Sequence, residues 1–418
     1  MLRFTLLGGL AVMSLSTGCG RASLTTVDRG GSDALLVAQR VEHLDVVARE
    51  PMVVEHPDGS LFVSGYGAPR PTLWKSTDRG ATWARVDVGS EADGAIGNSD
   101  VDLAVAGDGT LYFASMSFDR TALEGRQIAI GVSRDAGATW AWKTVSNTRF
   151  DDRPWVEVAP DGMVHAIWND GGGVSHVTST DRGSTWVEHD RIHDHGGSSH
   201  LAIGPRGEVA VRITPLSASG NKFDRGVELV AVSTDAGHTW VKYPAPGNRE
   251  WSPFDPTKPL QRWVEPLAWD ADGNLYSLWT DTTGVWLARS RDRGARWTTW
   301  RVVDHQGVNF FPYLIARGRG ELAATWFSGV GKALTWRAAR LTVGDGDARP
   351  QVTVSDTLPI EAWTRFGSTA DSLYHHTAGE YIAMTFLRDG SLGVVSPIQH
   401  PTASRMGFTW WRLEVRTR

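Results

Sequence analysis

Short apolar segments joined by Asp-Gly or Arg-Gly pairs recur along the chain. Met52, Val53 and Val54 precede Asp58-Gly59, for example, and a second apolar segment, residues 61–63, follows. An Asp-Gly pair between two apolar segments is a strong signal for a β-hairpin. The pairs are Asp58-Gly59, Asp108-Gly109, Asp161-Gly162, Arg206-Gly207, Asp272-Gly273, Arg319-Gly320 and Asp389-Gly390. The pattern predicts seven hairpins, each closed by a two-residue turn.

A second repeat, Ser-x-Asp-x-Gly-x-x-Trp, follows five of these hairpins. We call its copies the octapeptides; they are residues 76–83, 133–140, 179–186, 233–240 and 290–297. The Asp can cap local backbone N–H groups, the Gly can adopt the positive φ of a tight turn, and the Trp can anchor the returning chain between sheets. A repeat of roughly 50 residues indicates a solenoid, a propeller or an array.

Each repeat can form four strands, A to D, with the hairpin between A and B and the octapeptide between C and D. Four-stranded antiparallel units arranged around an axis are the blades of a β-propeller. The last repeat lacks a fourth strand, and the apolar residues 34–41 can supply it and so remove an exposed sheet edge. We therefore predict an all-β, seven-bladed β-propeller of four-stranded antiparallel blades. A six-bladed propeller is the alternative.

Composition and the N-terminus indicate an exported protein. The 418 residues carry a net charge of only -5, which argues against a nucleic-acid partner. Arg3 precedes an apolar segment, residues 6–15, and small residues lead to Cys19, the single cysteine. This arrangement is typical of a secretory signal peptide. The predicted organisation is a signal peptide at 1–18, a flexible tether at 19–33, and one propeller domain at 34–418 closed by its N-terminal strand.

The small residues before Cys19 resemble the signal of bacterial lipoproteins. This resemblance implies that Cys19 carries the lipid, that the lipid attaches the protein to a membrane, and that the protein lies in the cell envelope, facing the periplasm or the cell surface. An ordinary signal peptide with an incidental cysteine is the alternative.

Strand direction determines which loops of the propeller lie together. The D–A and B–C loops share one face, which we call the upper face, and the hairpins and octapeptides share the lower face. Charged and aromatic residues cluster where strand A begins, including Asp102, and such residues suit a sugar ligand. The predicted substrate-binding residues are Glu50, Asp100, Arg153, Trp155, His200, Trp263, Phe310, Tyr313 and Glu380. The alternative is that these groups are solvated, or that they pair with each other along a wet channel.

The octapeptides resemble the Asp-box, or BNR, repeat of the sialidase (neuraminidase) superfamily. In that family the box is structural, the propeller has six blades and the substrate is a glycan. Arg49-Glu50-Pro51 occupies the place of the family's Arg-Ile-Pro sequence. The resemblance implies that Arg49 binds a carboxylate and that a Tyr nucleophile is activated by a Glu. Tyr381 or Tyr313 can be the nucleophile and Glu265 or Glu380 its base, and we choose Tyr381 and Glu265.

One departure from the sialidase pattern concerns the acid. The family acid lies between the first arginine and the first Asp box. In this chain the only Asp between Pro51 and Lys75 is Asp58, which belongs to a predicted lower-face hairpin. Hydrolysis by the family mechanism would therefore need another acid, for which we choose Asp152.

The functional hypothesis is a surface-anchored propeller that binds extracellular glycans, with exo-type glycoside hydrolysis if it is an enzyme. A non-catalytic protein-interaction or assembly-factor propeller is the alternative. We expect no cofactor, no metal and a monomer. The histidine-rich segment 189–195 and the Gly-Asp-Gly-Asp segment 344–347 are interpreted as polar turns, because neither has the complete ligand spacing of a metal site.

Overall fold

The computed structural model describes residues 34–214, 227–247, 265–305, 307–330, 333–359, 382–399 and 405–417. Within these ranges the chain is almost entirely β-structure, with one 3-10 turn at Glu91–Asp93. No helix among the described residues is long and apolar enough to cross a membrane. The predicted signal peptide and tether, with Cys19, lie outside the described residues, as do Trp263, Glu380 and Tyr381.

The strands form seven antiparallel sheets in chain order. Blade I contains β2 (Arg49–Glu55), β3 (Leu61–Tyr66), β4 (Thr72–Ser76) and β5 (Ala84–Arg85). Blade II contains β6 (Ser99–Val105), β7 (Leu111–Asp119), β8 (Glu124–Ser133) and β9 (Ala141–Ser146). Blade III contains β10 (Asp151–Val158), β11 (Val164–Asp170), β12 (Val174–Ser179) and β13 (Val187–Glu188).

The remaining blades follow the same order. Blade IV contains β14 (Gly197–Ile203), β15 (Val209–Thr214), β16 (Leu229–Ser233) and β17 (Val241–Pro244). Blade V contains β18 (Leu267–Trp269), β19 (Leu275–Asp281), β20 (Gly284–Ser290) and β21 (Thr298–Asp304). Blade VI contains β22 (Val308–Arg317), β23 (Glu321–Val330), β24 (Ala333–Thr342), β25 (Gln351–Val354) and β26 (Leu358–Pro359). Both β25 and β26 pair with β24, so they form one interrupted outer strand.

The seventh blade joins the two ends of the propeller chain. It contains β27 (Met384–Phe386), β28 (Leu392–Gln399), β29 (Met406–Thr417) and, at its outer edge, β1 (Ala34–Leu44). The antiparallel register of β1 and β29 runs from Ala34 opposite Thr417 to Leu44 opposite Gly407. The prediction of seven four-stranded blades is confirmed, and the six-bladed alternative is wrong.

The hairpins between strands A and B differ in one detail from the prediction. In blade I, Gly59 N–H donates to the carbonyl of His56 at 2.8 Å, and His56 N–H donates to Ser60. Gly59 has a φ of 89°, whereas Asp58 does not have a positive φ. The loop is therefore three residues long, a type I turn followed by a left-handed glycine, and the predicted two-residue turn is wrong. A two-residue type I′ turn requires a positive φ at both central positions, and glycine adopts that conformation much more readily than aspartate.

The octapeptides form turns that satisfy their own polar groups. Thr82 donates to Asp78 through both its N–H and its hydroxyl, while Gly80 N–H donates to Ser76 Oγ at 2.8 Å. The same serine and aspartate contacts recur in the four other copies. Arg79, the residue before the glycine, has a left-handed φ of 62°. These aspartates have a structural role in the turns.

Candidate functional site

The innermost strands of blades I, III and VI begin with a β-bulge. At each bulge a left-handed residue precedes proline: Glu50 (φ 41°) before Pro51, Arg153 (φ 50°) before Pro154, and Phe311 (φ 48°) before Pro312. Proline has no N–H to donate, so it is tolerated where the ladder is interrupted. The bulges turn the upper ends of these strands, and the residues that follow them form one layer around the axis.

Strand register identifies the residues of this layer. In each blade, the layer residue is the first residue of strand A below the bulge that pairs with a residue of strand B. In a blade without a bulge, it is the strand A residue at the same height. In blades I to VI the layer residues are Met52, Val101, Trp155, His200, Leu267 and Tyr313. The large polar and aromatic side chains of the layer are therefore concentrated in blades III, IV and VI.

Trp155, His200 and Tyr313 meet inside the propeller. The ring centroids of Trp155 and His200 are 5.3 Å apart, and those of His200 and Tyr313 are 5.9 Å apart. Blades IV and VI are not neighbours, so the second contact spans the central channel. The three side chains are only 5–8 % exposed. All three were predicted as ligand-binding residues of the rim; they lie together, but inside the channel.

Two carboxyl groups lie next to this aromatic group. Asp102 of β6 accepts hydrogen bonds from Leu103 N–H and, across the blade boundary, from Val156 N–H, both at 2.8 Å. Burial raises the pKa of Asp102 to about 7 despite these two bonds. Desolvation by the surrounding protein and then the Asp102 carboxylate raise the pKa of Glu157 to about 8. Glu157 is nevertheless exposed to solvent, and its charge acts on Tyr313 of blade VI, so we place it on the channel wall.

The pKa values of the neighbouring His200 and Tyr313 are shifted as well. Burial lowers the pKa of His200 to about 4, so its imidazole is neutral near pH 7. Burial, followed by the charges of Asp102 and Glu157, raises the pKa of Tyr313 well above 10. Near neutral pH the channel therefore holds a neutral imidazole, a phenol and two carboxyl groups whose pKa values lie at or above that pH. Such a set can both donate and accept protons.

The rim above this cluster contains the other described candidates. The guanidinium of Arg49 lies 5.3 Å from the centroid of the Tyr66 ring. Arg153 pairs with Asp152 at 3.9 Å, and the Asp152 side chain is 37 % exposed. Asp100, the unpaired residue between Ser99 and Val101 in blade II, is partly exposed and accepts a hydrogen bond from the Ser99 hydroxyl. These groups can contact a ligand that enters the upper end of the channel.

Glu50 and Phe310 lie deeper than the open rim. Glu50 is 7 % exposed, and Phe310 is 3 % exposed. The Phe310 ring stacks on Phe327 at 5.4 Å and also meets Phe311. Phe310 therefore packs into blade VI, whereas the rim charges nearest to solvent belong to blades I to III.

Glu265 belongs to a buried ionic cluster between blades IV and V. Arg212, which is fully buried, donates to Glu265, to Glu228 at 2.6 Å and to the Ser277 hydroxyl at 2.8 Å. A base at Glu265 would have to leave this arginine. Glu265 was proposed as the base from the sequence, and its surroundings in the described structure are those of a structural ion pair.

Sequence reasoning missed Glu157, Arg212 and Glu228. The first two interrupt apolar strand segments, Val156-Glu157-Val158 and Val211-Arg212-Ile213. A charged residue within an apolar strand signals a buried partner or a functional site, because charged groups are seldom buried without compensation. That signal was available, but it does not identify the partner.

His189 of the histidine-rich segment belongs to a group of four histidine rings. His165 Nδ1 lies 3.1 Å from His176 Nε2, and His189 stacks on His176 at 4.8 Å. His238 of the fourth octapeptide lies edge-on to His189 at 5.1 Å. The parallel rings do not converge on one point. No group of three or more His, Cys, Asp or Glu in the described ranges is arranged to hold a metal ion.

Comparisons with known proteins show the fold. No protein-family model and no curated protein sequence matches the chain. Similar solved structures include an ulvan lyase bound to a saccharide of glucuronic acid and sulfated rhamnose. It has a TM-score of 0.52 and 12% identity, over 89% of this chain and 95% of that chain. The virginiamycin B lyase of Staphylococcus aureus has a TM-score of 0.50 and 12% identity, over 91% of this chain and 99% of that chain.

A Hadza microbial sialidase is also similar, with a TM-score of 0.44 and 16% identity. The match covers 74% of this chain and 65% of the sialidase. Sialidases and other propeller enzymes are thus among the structural neighbours. At such low identities these similarities describe a shared propeller fold.

Proposed function

We propose that this protein binds extracellular glycans at the upper end of its channel and cleaves them by acid–base catalysis. The observation that carries the proposal is the meeting of Asp102, Glu157, His200 and Tyr313, which come from blades II, III, IV and VI. Clustered groups with strongly shifted pKa values are characteristic of active sites.

The proposed chemistry follows from the protonation states. Cleavage of a glycosidic bond needs a proton donor for the leaving oxygen, and a carboxyl group with a raised pKa is suited to that role. Glu157, which water reaches, is the proposed donor, and Asp102 keeps its pKa high. The neutral imidazole of His200 is the proposed proton acceptor. Arg49 and Arg153 at the rim would orient acidic groups of the ligand.

These assignments change two roles inferred from the sialidase resemblance. Asp152 is partly exposed and paired with Arg153, so we transfer the acid role from Asp152 to Glu157. Glu265 is paired with buried Arg212, so we transfer the base role to His200. The nucleophile role of Tyr381 stays a prediction, because Tyr381 lies outside the described residues.

The test is an assay of the purified protein on a panel of glycans. The panel includes sialosides, neutral polysaccharides and polyuronates; the last are chosen because the ulvan lyase that shares this fold binds a glucuronic-acid saccharide. Release of reducing ends would report hydrolysis, and ultraviolet absorbance of an unsaturated product would report elimination. We expect Glu157→Gln to lower turnover by about 10²–10⁴-fold.

Asp58→Asn in a lower-face hairpin is the matched control, and its activity should equal that of the wild type. Cleavage that is insensitive to Glu157→Gln contradicts the acid assignment. Glycan binding without turnover would leave a lectin-like function, and stable capture of a protein partner with no glycan binding would favour the interaction platform.

We also propose that the protein is an exported lipoprotein attached through Cys19, in a geometry that leaves the channel mouth accessible. β1 begins at the lower face, because Ala34 pairs with the lower end of β29. The 15 residue steps from Cys19 to Ala34 can span at most about 50 Å. The lipid would thus join the face opposite the proposed site. Metabolic labelling with palmitate should label the wild type and fail to label Cys19→Ser.

A further inference from the structure

A polar cavity opens at the lower face between blades V and VI. Its volume is about 230 Å³, and the lining includes Asp272, Asn274, Arg289, Arg291, Arg319 and Asp345. Its lining residues belong to the hairpins and C–D turns, at the face opposite the channel mouth. None of its residues belongs to the site described above.

The cavity arises where the octapeptide repeat is interrupted. In blade II the octapeptide glycine, Gly137, packs on Phe62 of the preceding blade, and in blade III Gly183 packs near Tyr112. Tyr276 is the equivalent residue of blade V, by its place in strand B. Blade VI has no octapeptide to cover it, and its C–D connection is the unrelated segment 343–350. The cavity lies beside this segment, and Tyr276, Val343, Gly344 and Asp345 are among its lining residues.

Hydrogen bonds within the protein hold the polar groups of the cavity in place. Asp270, one of the lining residues, accepts from Gly320 N–H at 3.1 Å, from the Tyr276 hydroxyl at 3.0 Å and from Asn274 Nδ2 at 2.8 Å. Arg289 is 2 % exposed and donates to the carbonyls of Gly344 and Gly346. Its Nε is buried with no hydrogen-bond partner in the described part of the chain. The walls are thus organised before any ligand binds.

The charges of the lining decide the class of ligand. Three arginines, at 289, 291 and 319, face three aspartates, at 270, 272 and 345. Arg319 pairs with Asp272 at 2.8 Å and with Asp345 at 3.7 Å, so a ligand would share these groups with their ion pairs. An anion would meet the carboxylates, and a cation would meet the guanidinium groups. A neutral molecule with several hydroxyl groups can donate to the aspartates and accept from the arginines. The volume is below the roughly 300 Å³ at which drug-sized ligand sites begin, which suits one small ring.

We propose that this cavity is an accessory binding site for a single neutral sugar unit. Arg291 and Arg319 donate to its hydroxyl oxygens, and Asp272 and Asp345 accept from its hydroxyl groups. Val343 and the ring of Tyr276 are the apolar surfaces of the described lining, so the contact is mainly polar. The site does not depend on the proposed catalytic function, because its residues and face are separate.

The test uses saturation-transfer NMR and calorimetric titration of the full chain with glucose, galactose and rhamnose. Glucuronic acid and glucosamine serve as charged comparators. We expect saturable binding of at least one neutral sugar in the millimolar range. Arg291→Gln should raise its Kd about tenfold, because a charge-assisted hydrogen bond is lost.

Arg134→Gln is the matched control, since Arg134 is the same octapeptide position in blade II and likewise contacts the next C–D turn. A second pair of variants tests whether filling the cavity with a side chain prevents sugar binding. A Cβ on Gly344 or on Gly107 would meet no atom within 4 Å, and neither residue has a positive φ. Gly344→Leu should abolish sugar binding, whereas Gly107→Leu on the same face should not.

The channel variant Glu157→Gln should bind the sugar as the wild type does, which separates this site from the proposed catalytic one. The inference fails if none of the neutral sugars binds saturably, which would mean that the cavity holds only water. It also fails if binding persists unchanged in Arg291→Gln and Gly344→Leu, or if the charged comparators bind better than every neutral sugar.

Discussion

The carboxyl groups of the octapeptide turns and those of the channel have pKa shifts of opposite sign. In the turns, donation from Thr82 holds the pKa of Asp78 at about 2, and Thr139 does the same for Asp135. In the channel, burial raises the pKa of Asp102 to about 7 and that of Glu157 to about 8. Near neutral pH, carboxylates of the first kind stabilise a local turn, and those of the second kind reduce stability.

The two regions also differ in repetition. Each octapeptide satisfies its own polar groups within eight residues, so the motif works in any blade. The channel groups come from four blades, and the layer of equivalent positions contains Met52 and Val101 as well as Trp155, His200 and Tyr313. Residues that repeat build the scaffold, and residues that differ at equivalent positions are the candidates for function.

The buried ionic cluster gives the largest expected effect on stability. Arg212→Met removes the buried guanidinium that pairs with both Glu228 and Glu265, and we expect a loss of about 3–5 kcal/mol in the free energy of unfolding. Urea denaturation measures it. Arg412 also contacts two acids, Asp389 and Glu414, but near the surface.

The matched variant Arg412→Met should therefore cost less than about 1 kcal/mol. Equal losses in the two variants would mean that burial does not increase the cost of removing an ion-paired arginine from this protein.

The histidine stack between blades III and IV should give the next largest effect, through pH. Burial lowers the pKa of His165 to about 4 and that of His176 to about 2, the latter with help from His165, His189 and His238. Their unfolded pKa is near 6.5, so the unfolded chain binds more protons below that pH. Their contribution to stability is complete above pH 6.5 and is lost as the pH falls. Each should lose about 2 kcal/mol by pH 5.

Urea denaturation of the wild type and of His176→Phe at pH 7 and pH 5 measures this effect. The variant should lose less stability on acidification than the wild type does. The carboxylates near the stack, Asp161 and Asp190, raise the pKa of His165 and His189 respectively and so oppose the effect. Identical pH dependence in both proteins would show that the buried imidazoles are protonated without penalty.

The sequence predicted the scaffold because its signals are local. A turn such as 76–83 is specified by residues a few positions apart, and the octapeptides with the recurring hairpins give the blade number. The central contacts are not local: His200 and Tyr313 meet because the ring closes, and nothing near either residue in the chain encodes the distance. Trp155, His200 and Tyr313 were recognised by residue type, whereas Arg212 and Glu157 required knowledge of what they are buried against.

The octapeptide turn offers a smaller test on the repetitive side of the comparison. Ser133 is buried, accepts from Gly137 N–H at 2.9 Å and donates to Asp135 at 2.8 Å. Ser133→Ala leaves that buried N–H without an acceptor, which should cost about 1–3 kcal/mol in urea denaturation. Ser184→Ala, at an exposed position of the next octapeptide, should change stability by less than about 0.5 kcal/mol.

Glu157→Gln should give the smallest change in stability. The sign of that change is the sharpest test of the difference between channel and octapeptide carboxyl groups. The folded pKa of Glu157 is near 8 and the unfolded pKa near 4.5, so between these values the folded state holds a proton that the unfolded state has released. Stability therefore falls as the pH rises through this window, and the amide removes that loss. Because water reaches Glu157, we expect a gain of only about 1 kcal/mol at pH 8 and no gain at pH 4.

In the same variant, glycan cleavage should be lost while stability rises, as expected for a group retained for function at the expense of stability. Thermal denaturation at pH 4 and pH 8 measures the change in stability, and the cleavage assay measures the loss of activity. A variant that is destabilised at pH 8 would show that the channel carboxyl is ionised and paired in the folded protein, and the opposition between channel and octapeptide carboxylates would then disappear.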